Sequence, residues 1–526
     1  MTDRPSSPTP GLTAASPLKE VWSIAWPTVL TMTSYTAMQF VDKLMVAQVG
    51  PLEVAAQGNG GIWAFTPVAF AMGVMTVVNT YVSQNLGAGT PEKGPQYAWA
   101  AMWLSVAIWV AVLVPGAMVL PWLFSTMGHF DMANGPRLVR LETGYGQILL
   151  VGSVMLLMSR GLNHYFFGLH RPKLITVTAL VSNVVNVLAN YVLIFGSEGI
   201  PGWGIPGVPG MPPLGLYGAA LGTLVGMAVE LVIPAAVFLG PRMHAELGSR
   251  TPWRPQLKPL RDLLKTGWPA AVQFGSEIVC WSIFMSVLVG RFGENHMTAG
   301  WIVLGYMHLS FMPAIGFSVA VNSLVGRYIG AGQPDTAVAR ARLGLMLAVG
   351  YMTFCGAAFY VFRHELVSFF LGGKALDPVA AEEIVRIGGQ LMICAAVFQT
   401  VDAFGITYTG ALRGAGDTVW PGLVTMLYAW VFIVAGGWSM AVLWPGLGSV
   451  GPWVAAAAYI IIFGITMAWR FETGRWRTIR LLDPIDREAA QVAPIGPGPP
   501  AAEPDAAVRD LAESMTKRAE PEEPLL

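Results

Sequence analysis

The sequence predicts an all-α polytopic membrane protein made of two parallel repeats of six transmembrane helices. Of the 526 residues, 54% are hydrophobic and only 12% are charged, whereas soluble domains carry ~25% charged residues. Twelve apolar stretches are long enough to cross a bilayer as helices, which takes ~20 residues each. The second half of the chain also repeats motifs of the first half in the same order. Such parallel repeats are found in transporters whose halves are related by an axis along the membrane normal.

The repeat is clearest in two segments that each end a long apolar stretch. Residues 79–91 read NTYVSQNLGAGTP, and residues 322–334 read NSLVGRYIGAGQP. Trp26 and Trp268, each followed by proline, keep almost the same spacing. Because glycine adopts backbone conformations that other residues avoid, we expect four glycines to be structural requirements at two equivalent turns. These glycines are Gly87, Gly89, Gly330 and Gly332.

The predicted transmembrane segments divide evenly between the two halves. Those of the first half are 21–48, 54–86, 97–126, 138–167, 173–196 and 215–240. Those of the second half are 262–290, 298–330, 337–371, 382–411, 418–443 and 449–471. The expected parts are a disordered N-terminal tail (1–20), an N-terminal lobe (21–240), a cytoplasmic inter-lobe linker (241–261), a C-terminal lobe (262–471) and a polar C-terminal tail (472–526).

The positions of Lys and Arg in the connections predict the orientation of the chain. Connections on the side of the two termini, including the basic linker, hold most of them. The opposite connections hold Arg137, Arg140, Arg291, Arg363, Lys374 and Arg386. Because an excess of Lys and Arg marks cytoplasmic loops, both termini and both Gly-Ala-Gly turns are expected to face the cytoplasm. The N-terminus has no apolar run after a basic start, so a signal peptide is not predicted.

Composition and motifs exclude several classes of function. The net charge of zero gives no indication of nucleic-acid binding. The three cysteines, Cys280, Cys355 and Cys394, lie in apolar stretches without metal-ligand spacing. The sequence contains no HExxH motif, nucleophile elbow or Walker loop, and its histidines have no paired spacing. We therefore expect neither an enzyme nor a resident cofactor.

Two carboxylates in the second half are the leading functional candidates. A charge near the middle of a bilayer costs about 2.5–3.5 kcal/mol, so such residues usually face a cavity and serve a function. Glu277 and Asp402 both fall well inside predicted helices, with Gln273 and Gln399 about one turn away. Two carboxylates at one cavity can bind a hard cation such as Na⁺, or they can share a proton. The alternative is that each is satisfied by a neighbouring hydroxyl or amide.

Three further charged residues lie in predicted helices of the first half. Asp42 is a functional candidate, and an interfacial ion pair with Lys43 is its alternative. Arg160 occupies the repeat position of Asp402, since 402 − 160 = 242. It is either a counter-ion within this lobe or a side chain that reaches toward the membrane surface. For Glu230 we favour a structural hydrogen bond.

Asparagines on the fifth predicted helix form a polar face. Asn183, Asn186 and Asn190 are spaced at i, i+3 and i+7, which places them on one side of a helix. Interhelical hydrogen bonding explains at least one of them. We treat Asn186 and Asn190, with Gln39 of the first helix, as supporting polar residues.

In their order and spacing, several pieces of the sequence resemble the MATE (multidrug and toxic compound extrusion) transporters, especially the NorM-like branch. The resemblance spans residues 21–471. Its pieces are QFVDKLMVAQVG at 39–50, SQNLGAG at 83–89, NVLANYVLIFG at 186–196, GLYGAALGT at 215–223, WPAAVQFGSE at 268–277, FQTVDAFG at 398–405 and GALRGAGDT at 410–418.

The resemblance implies two six-helix lobes that form a V around a central cavity. It also implies a bacterial inner-membrane protein, a monomer in the lipid bilayer, which exports organic cations or drugs against inward Na⁺ or H⁺. Asp42 matches the family's first-helix aspartate, and Glu277 with Asp402 matches the acidic pair of the cation site. Asn190 departs from DinF-like relatives, which have an aspartate there. Arg160 matches no family feature.

Two other transport functions compete with multidrug antiport. The first is export of an endogenous metabolite, about which the sequence carries no information. The second is a flippase for lipid-linked precursors on a related scaffold. A flippase is expected to have a more basic cavity, whereas the central charges here are mainly acidic.

Overall fold

The computed structural model describes residues 16–126, 135–200, 204–371 and 378–482. Most of the two predicted tails, and Lys374, lie outside this part of the chain. The described residues are almost entirely helical, and their single isolated β-bridge joins Ile200 and Ile205. Twelve long helices, six in each predicted lobe, account for the membrane part of the described chain.

The helices follow the predicted segments closely. In the N-terminal lobe they are α1 (Pro17–Ala47), α2 (Leu52–Gly87), α3 (Pro91–Thr126), α4 (Gly135–Gly168), α5 (Pro172–Glu198) and α6 (Leu216–Phe238). In the C-terminal lobe they are α7 (Leu257–Phe292), α8 (Glu294–Gly330), α9 (Pro334–Val361), α10 (Pro378–Gly414), α11 (Val419–Leu443) and α12 (Val450–Glu472). All but α1 are long and apolar enough to cross a membrane by length and composition alone, so this is a multi-pass membrane protein.

Two predicted boundaries differ from the structure. The segment predicted as 337–371 is divided, because α9 ends at Val361 and a separate short helix, Arg363–Leu371, follows it. The predicted linker 241–261 is partly helical: it contains the helix Pro241–Leu247, and α7 already begins at Leu257. The charged stretch Arg363–Glu365 marks the first break, but the apolar residues on both sides of it led to a single predicted segment, and the basic character of the linker hid its helical turns.

The two Gly-Ala-Gly turns have the same structure. Gly89 and Gly332 have φ angles of 76° and 71°, in the left-handed region that glycine tolerates. Thr90 N donates to Asn85 O at 2.9 Å in the first turn, and Gln333 N donates to Tyr328 O at 2.8 Å in the second. These bonds close the ends of α2 and α8 in the pattern that commonly stops a helix at glycine.

Gly87 and Gly330 are required for a different reason, which is contact between the lobes. A Cβ atom at Gly87 would overlap the carbonyl oxygen of Arg327, and a Cβ at Gly330 would overlap that of Gln84. The two contacts are related by the repeat, because 84 and 87 become 327 and 330 on adding 243. The ends of α2 and α8 therefore touch backbone to backbone across the lobe boundary.

A second pair of glycines, farther from the Gly-Ala-Gly turns on α2 and α8, also lets the two lobes approach each other closely. A Cβ at Gly73 of α2 would lie 2.5 Å from Ala270 O of α7. A Cβ at Gly316 of α8 would lie 2.6 Å from the Cα atom of Val29 of α1. These positions are also related by the repeat, since 316 − 73 = 243. The lobes thus meet through α2 against α7 and α8 against α1.

Hydrogen bonds between the lobes lie in the half of the molecule toward the start of α1 and the end of α12, which we call the terminal face. Thr80 Oγ1 donates to Arg413 O at 2.9 Å, and its repeat equivalent Ser323 donates through Oγ to Phe167 O at 2.6 Å. Gln84 Nε2 donates to Gly414 O at 2.9 Å. All these donors are buried, so the lobes are sealed against each other at the terminal face.

Two acidic residues at the starts of α1 and α7 reinforce this seal. Glu20 accepts from Arg340 Nε at 2.6 Å and from Tyr328 Oη at 2.7 Å, both in the opposite lobe. Asp262 occupies the equivalent place in α7 and accepts from Tyr97 Oη at 3.3 Å. Tyr97 corresponds to Arg340 in the repeat, since 340 − 97 = 243.

Candidate functional site

The two predicted carboxylates of the C-terminal lobe lie in the same region of its interior. Glu277 of α7 accepts a hydrogen bond from Tyr459 Oη of α12 at 2.7 Å. Asp402 of α10 is only 5% exposed. It lies close enough for the charge of Glu277 to act on it, and both charges act on Tyr459. The structure therefore brings α7, α10 and α12 together around two carboxylates.

Asp402 lacks the hydrogen bonds that a buried carboxylate normally requires. No protein donor within the described residues contacts it. An ionised carboxylate that is removed from water without partners is strongly disfavoured. Asp402 is therefore the carboxylate of this pair that has no partner within the described protein. The predicted alternative, satisfaction by a neighbouring hydroxyl or amide, fits Glu277 through Tyr459 but does not fit Asp402.

The helices that carry the two carboxylates also carry buried polar groups. Gln399, on the same helix as Asp402, is fully buried and donates through Nε2 to Ser310 Oγ at 2.7 Å, while its Oε1 atom has no partner among the described residues. Gln273 and Ser276 of α7 are both buried. Ser276 Oγ accepts from Trp430 Nε1 at 2.8 Å. Carboxylate, amide and hydroxyl oxygens are the ligand types that suit a hard cation.

Among the described residues, no three His, Cys, Asp or Glu side chains come together as a metal site. Arg413 of α10 is a partly buried cation of this lobe, and its guanidinium carbon lies 5.7 Å from the centroid of the Phe274 ring of α7. It forms no ion pair with either carboxylate in the described part of the chain.

Asp42 of α1 forms a second polar group with the predicted asparagines of α5. Asn190 Nδ2 donates to Asp42 Oδ1 at 2.6 Å and to Asn186 Oδ1 at 3.3 Å. Lys43 is exposed, and within the described chain no ion pair joins it to Asp42. Gln39 is exposed one turn earlier on α1 and has no hydrogen bond to this group in the described region. The hydrogen bond between helices that was expected for at least one of the α5 asparagines is thus made by Asn190.

Arg160 and Glu230 form one buried group rather than two isolated charges. Arg160 Nη1 of α4 lies 3.5 Å from Glu230 Oε1 of α6, and the side chains are 16% and 6% exposed. Glu230 also accepts from Tyr35 Oη of α1 and from Asn163 Nδ2 at 2.9 Å. Of the two roles predicted for Arg160, the structure shows the first, a counter-ion within the N-terminal lobe. The structural hydrogen bond favoured for Glu230 is present, but it is accompanied by an ion pair.

Sequence reasoning missed Tyr459, Tyr35 and Asn163. An aromatic or amide residue in an apolar helix gives no signal by itself, because most such residues pack in cores or face lipid. One signal existed for Tyr35, which occupies the repeat position of Glu277, since 277 − 35 = 242. Tyr459 has no comparable marker in the sequence.

A histidine in the turn between α4 and α5 joins the lobes outside the membrane-spanning helices. His170 has a φ angle of 58°, the single positive value among the described non-glycine residues. Its Nε2 lies 3.2 Å from Ser323 O, and its Nδ1 lies 3.5 Å from Arg327 Nη1. Burial, together with the Arg327 guanidinium, lowers the pKa of His170 to about 3. The neutral ring is therefore the form that fits this contact.

Comparison with known proteins places both halves of the chain in one family. The MatE family model matches residues 27–192 and again residues 269–438, an offset of 242 that equals the repeat seen in the sequence. A multidrug resistance protein, NorM, of Burkholderia vietnamiensis is 29% identical over 452 residues, covering 85% of this chain and 92% of the relative. The multidrug resistance protein PmpM of Pseudomonas aeruginosa is 27% identical over 492 residues, covering 92% and 97%.

Solved structures agree with these sequence relatives at the level of the fold. A crystal structure of MATE in the straight conformation superposes with a TM-score of 0.74 at 19% identity, covering 88% of this chain and 98% of that one. An outward-facing multidrug resistance MATE family transporter gives the same score, identity and coverage. The predicted fold class, two parallel six-helix lobes of an all-α membrane protein, is confirmed.

Proposed function

The chain belongs to the MatE family, as its motifs predicted, and from this we propose that it is a secondary active multidrug efflux antiporter. It exports organic cations or drugs in exchange for Na⁺ or H⁺ by alternating access. It acts as a monomer in the bacterial inner membrane, with both termini in the cytoplasm. The names of the relatives support drugs as the substrate class.

The observation that carries the ion coupling is the buried pair Glu277 and Asp402. Asp402 has no protein donor in the described chain, so it binds an ion or a proton whenever it is removed from water. Gln399 and Tyr459 lie beside the pair and complete a set of oxygen atoms for a cation. In this proposal Asp42 is a secondary coupling residue, because Asn190 already partly satisfies it.

Coupling requires that the ion and the drug favour different conformations. A ligand shifts a conformational equilibrium only by the difference in its affinity for the two states, and the resulting coupling is reciprocal. Buried hydrogen bonds join the lobes at the terminal face, and we infer that in this state the site is approached from the opposite side of the membrane. We infer that ion binding at Glu277 and Asp402 favours this state and lowers its affinity for the drug.

The test is efflux of ethidium from vesicles that hold the purified protein, with a Na⁺ gradient and a pH gradient imposed separately. Efflux driven by Na⁺ alone identifies the carboxylate pair as a Na⁺ site. Efflux driven by the pH gradient alone identifies it as a proton site. Absence of efflux under both gradients contradicts multidrug antiport and directs the search toward an endogenous metabolite or a lipid-linked precursor.

A further inference from the structure

The repeat register places a counterpart of the acidic pair in the N-terminal lobe. Asp402 corresponds to Arg160, since 402 − 160 = 242, and Glu277 corresponds to Tyr35, since 277 − 35 = 242. The two counterparts are in contact in the structure: the Arg160 guanidinium carbon lies 4.3 Å from the centroid of the Tyr35 ring. The two lobes therefore carry equivalent polar sites built from different residues.

The N-terminal site contains its own carboxylate and its own cation. Glu230 enters from α6, where it accepts from Tyr35 and Asn163 and lies 3.5 Å from Arg160 Nη1. The titratable side chains that face it are Tyr35 of α1 and Arg160 of α4, and His164 lies one turn beyond Arg160. The C-terminal pair differs, because Arg413 forms no ion pair with it within the described residues.

A guanidinium group stays protonated at every physiological pH. A carboxylate that is held beside such a group in a buried site has its charge balanced permanently. It consequently has little tendency to bind a proton or a Na⁺ ion. Asp402 and Glu277 have no such fixed partner and depend on an ion from solution.

We propose that Arg160 is a built-in cation which occupies, in the N-terminal lobe, the role that the exchanged ion has in the C-terminal lobe. It excludes Glu230 from ion exchange and thereby sets how many ions accompany each substrate. This inference rests on the proposed antiport. Arg160 acts through Glu230 and is a determinant of coupling rather than a group that contacts the transported ion.

The geometry indicates that the charge of Arg160 matters more than its shape. A bidentate arginine–carboxylate pair has two short parallel hydrogen bonds. Here a single contact of 3.5 Å joins the groups, and Arg160 Nε has no acceptor among the described residues. Lysine is therefore expected to replace Arg160 without changing ion binding, whereas glutamine is not.

Infrared spectroscopy of the purified protein in lipid nanodiscs, titrated with acid in Na⁺-free buffer, tests this role. The carboxylic-acid C=O band reports each protonated carboxyl group. The wild type and Glu230→Gln are expected to show the same bands, because the Arg160 guanidinium lies 3.5 Å from Glu230 and balances its charge. Arg160→Gln is expected to gain a band from one extra protonated carboxyl group. Arg160→Gln/Glu230→Gln is expected to lose that band, and Arg160→Lys to resemble the wild type.

Two results would overturn the proposal. One is a carboxylic-acid band that the wild type shows and Glu230→Gln lacks, and the other is an Arg160→Gln spectrum without a gained band. If Arg160→Gln does not fold, the comparison of the wild type with Glu230→Gln still decides, and the charge-neutral double variant serves as its folding control. These spectra do not depend on transport, so an absence of gradient-driven efflux would contradict the antiport and leave this result intact.

Discussion

Asp402 is the residue on which the proposed ion coupling depends. Its carboxylate is buried in the C-terminal lobe, beside Glu277 and away from any protein donor of the described chain. Under the proposed antiport, a bound proton or cation offsets the cost of burying it. Glu230 differs, because its carboxylate already accepts hydrogen bonds from Tyr35 and Asn163.

We expect Asp402→Asn to lose gradient-driven efflux while remaining folded. The amide is similar in size and removes the ionised form, so the ion loses its ligand and folding is not penalised. A fall in efflux rate of at least about tenfold corresponds to ~1.4 kcal/mol of lost coupling. Ethidium efflux and the thermal unfolding midpoint are measured together, with Glu294→Gln, at an exposed carboxylate in the first turn of α8, as the control. Normal efflux by Asp402→Asn would remove this residue from the mechanism.

His170 makes the contact between the lobes sensitive to acid. Its pKa lies below the value of ~6.5 expected in an unfolded chain. The unfolded state therefore binds more protons between these two values, and folding stability falls as the pH falls below ~6.5. At pH 5 we expect a loss of about 1–2 kcal/mol relative to neutral pH from this residue.

The measurement is the free energy of unfolding of the wild type and of His170→Asn at pH 7.5 and pH 5. Asparagine is chosen because it tolerates the left-handed backbone of this position and does not titrate. The wild type is expected to lose more stability than the variant between the two pH values. An identical loss in both proteins would show that His170 does not sense pH.

Sequence alone predicted the charged residues of the sites but not the groups that satisfy them. Glu277, Asp402 and Arg160 are conspicuous because charges are rare in apolar segments. Tyr459 and Asn163 are ordinary residues of membrane helices, and their roles depend on which helices face each other. Pairwise contacts of this kind arise from tertiary packing and leave no trace in the composition of one helix.

Among the helices, α2 and α8 determine how closely the lobes approach. Gly87, Gly330, Gly73 and Gly316 place their bare backbones against the opposite lobe. The sequence located the first two through the Gly-Ala-Gly repeat and assigned them to turns. The structure assigns the turns to Gly89 and Gly332 and gives Gly87 and Gly330 a packing role. The sequence of one helix could not distinguish a turn glycine from a packing glycine, because the atoms that leave no room for a side chain belong to the other lobe.

We expect Gly330→Ala to weaken the seal at the terminal face. The added methyl group would overlap Gln84 O, and overpacking of this kind costs about 1–3 kcal/mol. Gly305→Ala on the same helix is the matched control, because a Cβ there meets nothing within 4 Å. The distance between spin labels on α2 and α8 near the terminal face is expected to lengthen or broaden in Gly330→Ala only. Equal distance distributions in both variants would contradict the packing role.

At the scale of the whole molecule, the structure is sealed on one side of the membrane. Thr80, Ser323 and Gln84 bridge the lobes from buried positions at the terminal face, and Glu20 adds a charged contact with Arg340. Apolar periodicity and the repeat predicted the two lobes, their helix count and their parallel relation. Neither could predict which conformation the lobes adopt, because alternating states use the same helices.

The seal predicts a pattern of chemical labelling in a variant without native cysteines. Gln39→Cys lies on an exposed part of α1 away from the terminal face, whereas Ser323→Cys is buried between the lobes. A membrane-impermeant maleimide is expected to label Gln39→Cys from outside intact cells. Ser323→Cys is expected to resist labelling in both intact cells and inverted vesicles. Labelling of Gln39→Cys only in inverted vesicles would reverse the predicted orientation of the chain.

The linker between the lobes has a consequence for how the protein can be built. Residues 254–257 are exposed. The linker lies at the terminal face, together with the start of α1 and the end of α12. Apart from the linker itself, the contacts that join the halves are non-covalent, and they involve α1, α2, α7 and α8 together with residues of α3, α4, α9 and α10. A gene divided between Arg254 and Pro255 should therefore yield two six-helix polypeptides that find each other in the membrane and co-purify. The molecule is in this sense a heterodimer whose subunits happen to share one peptide chain.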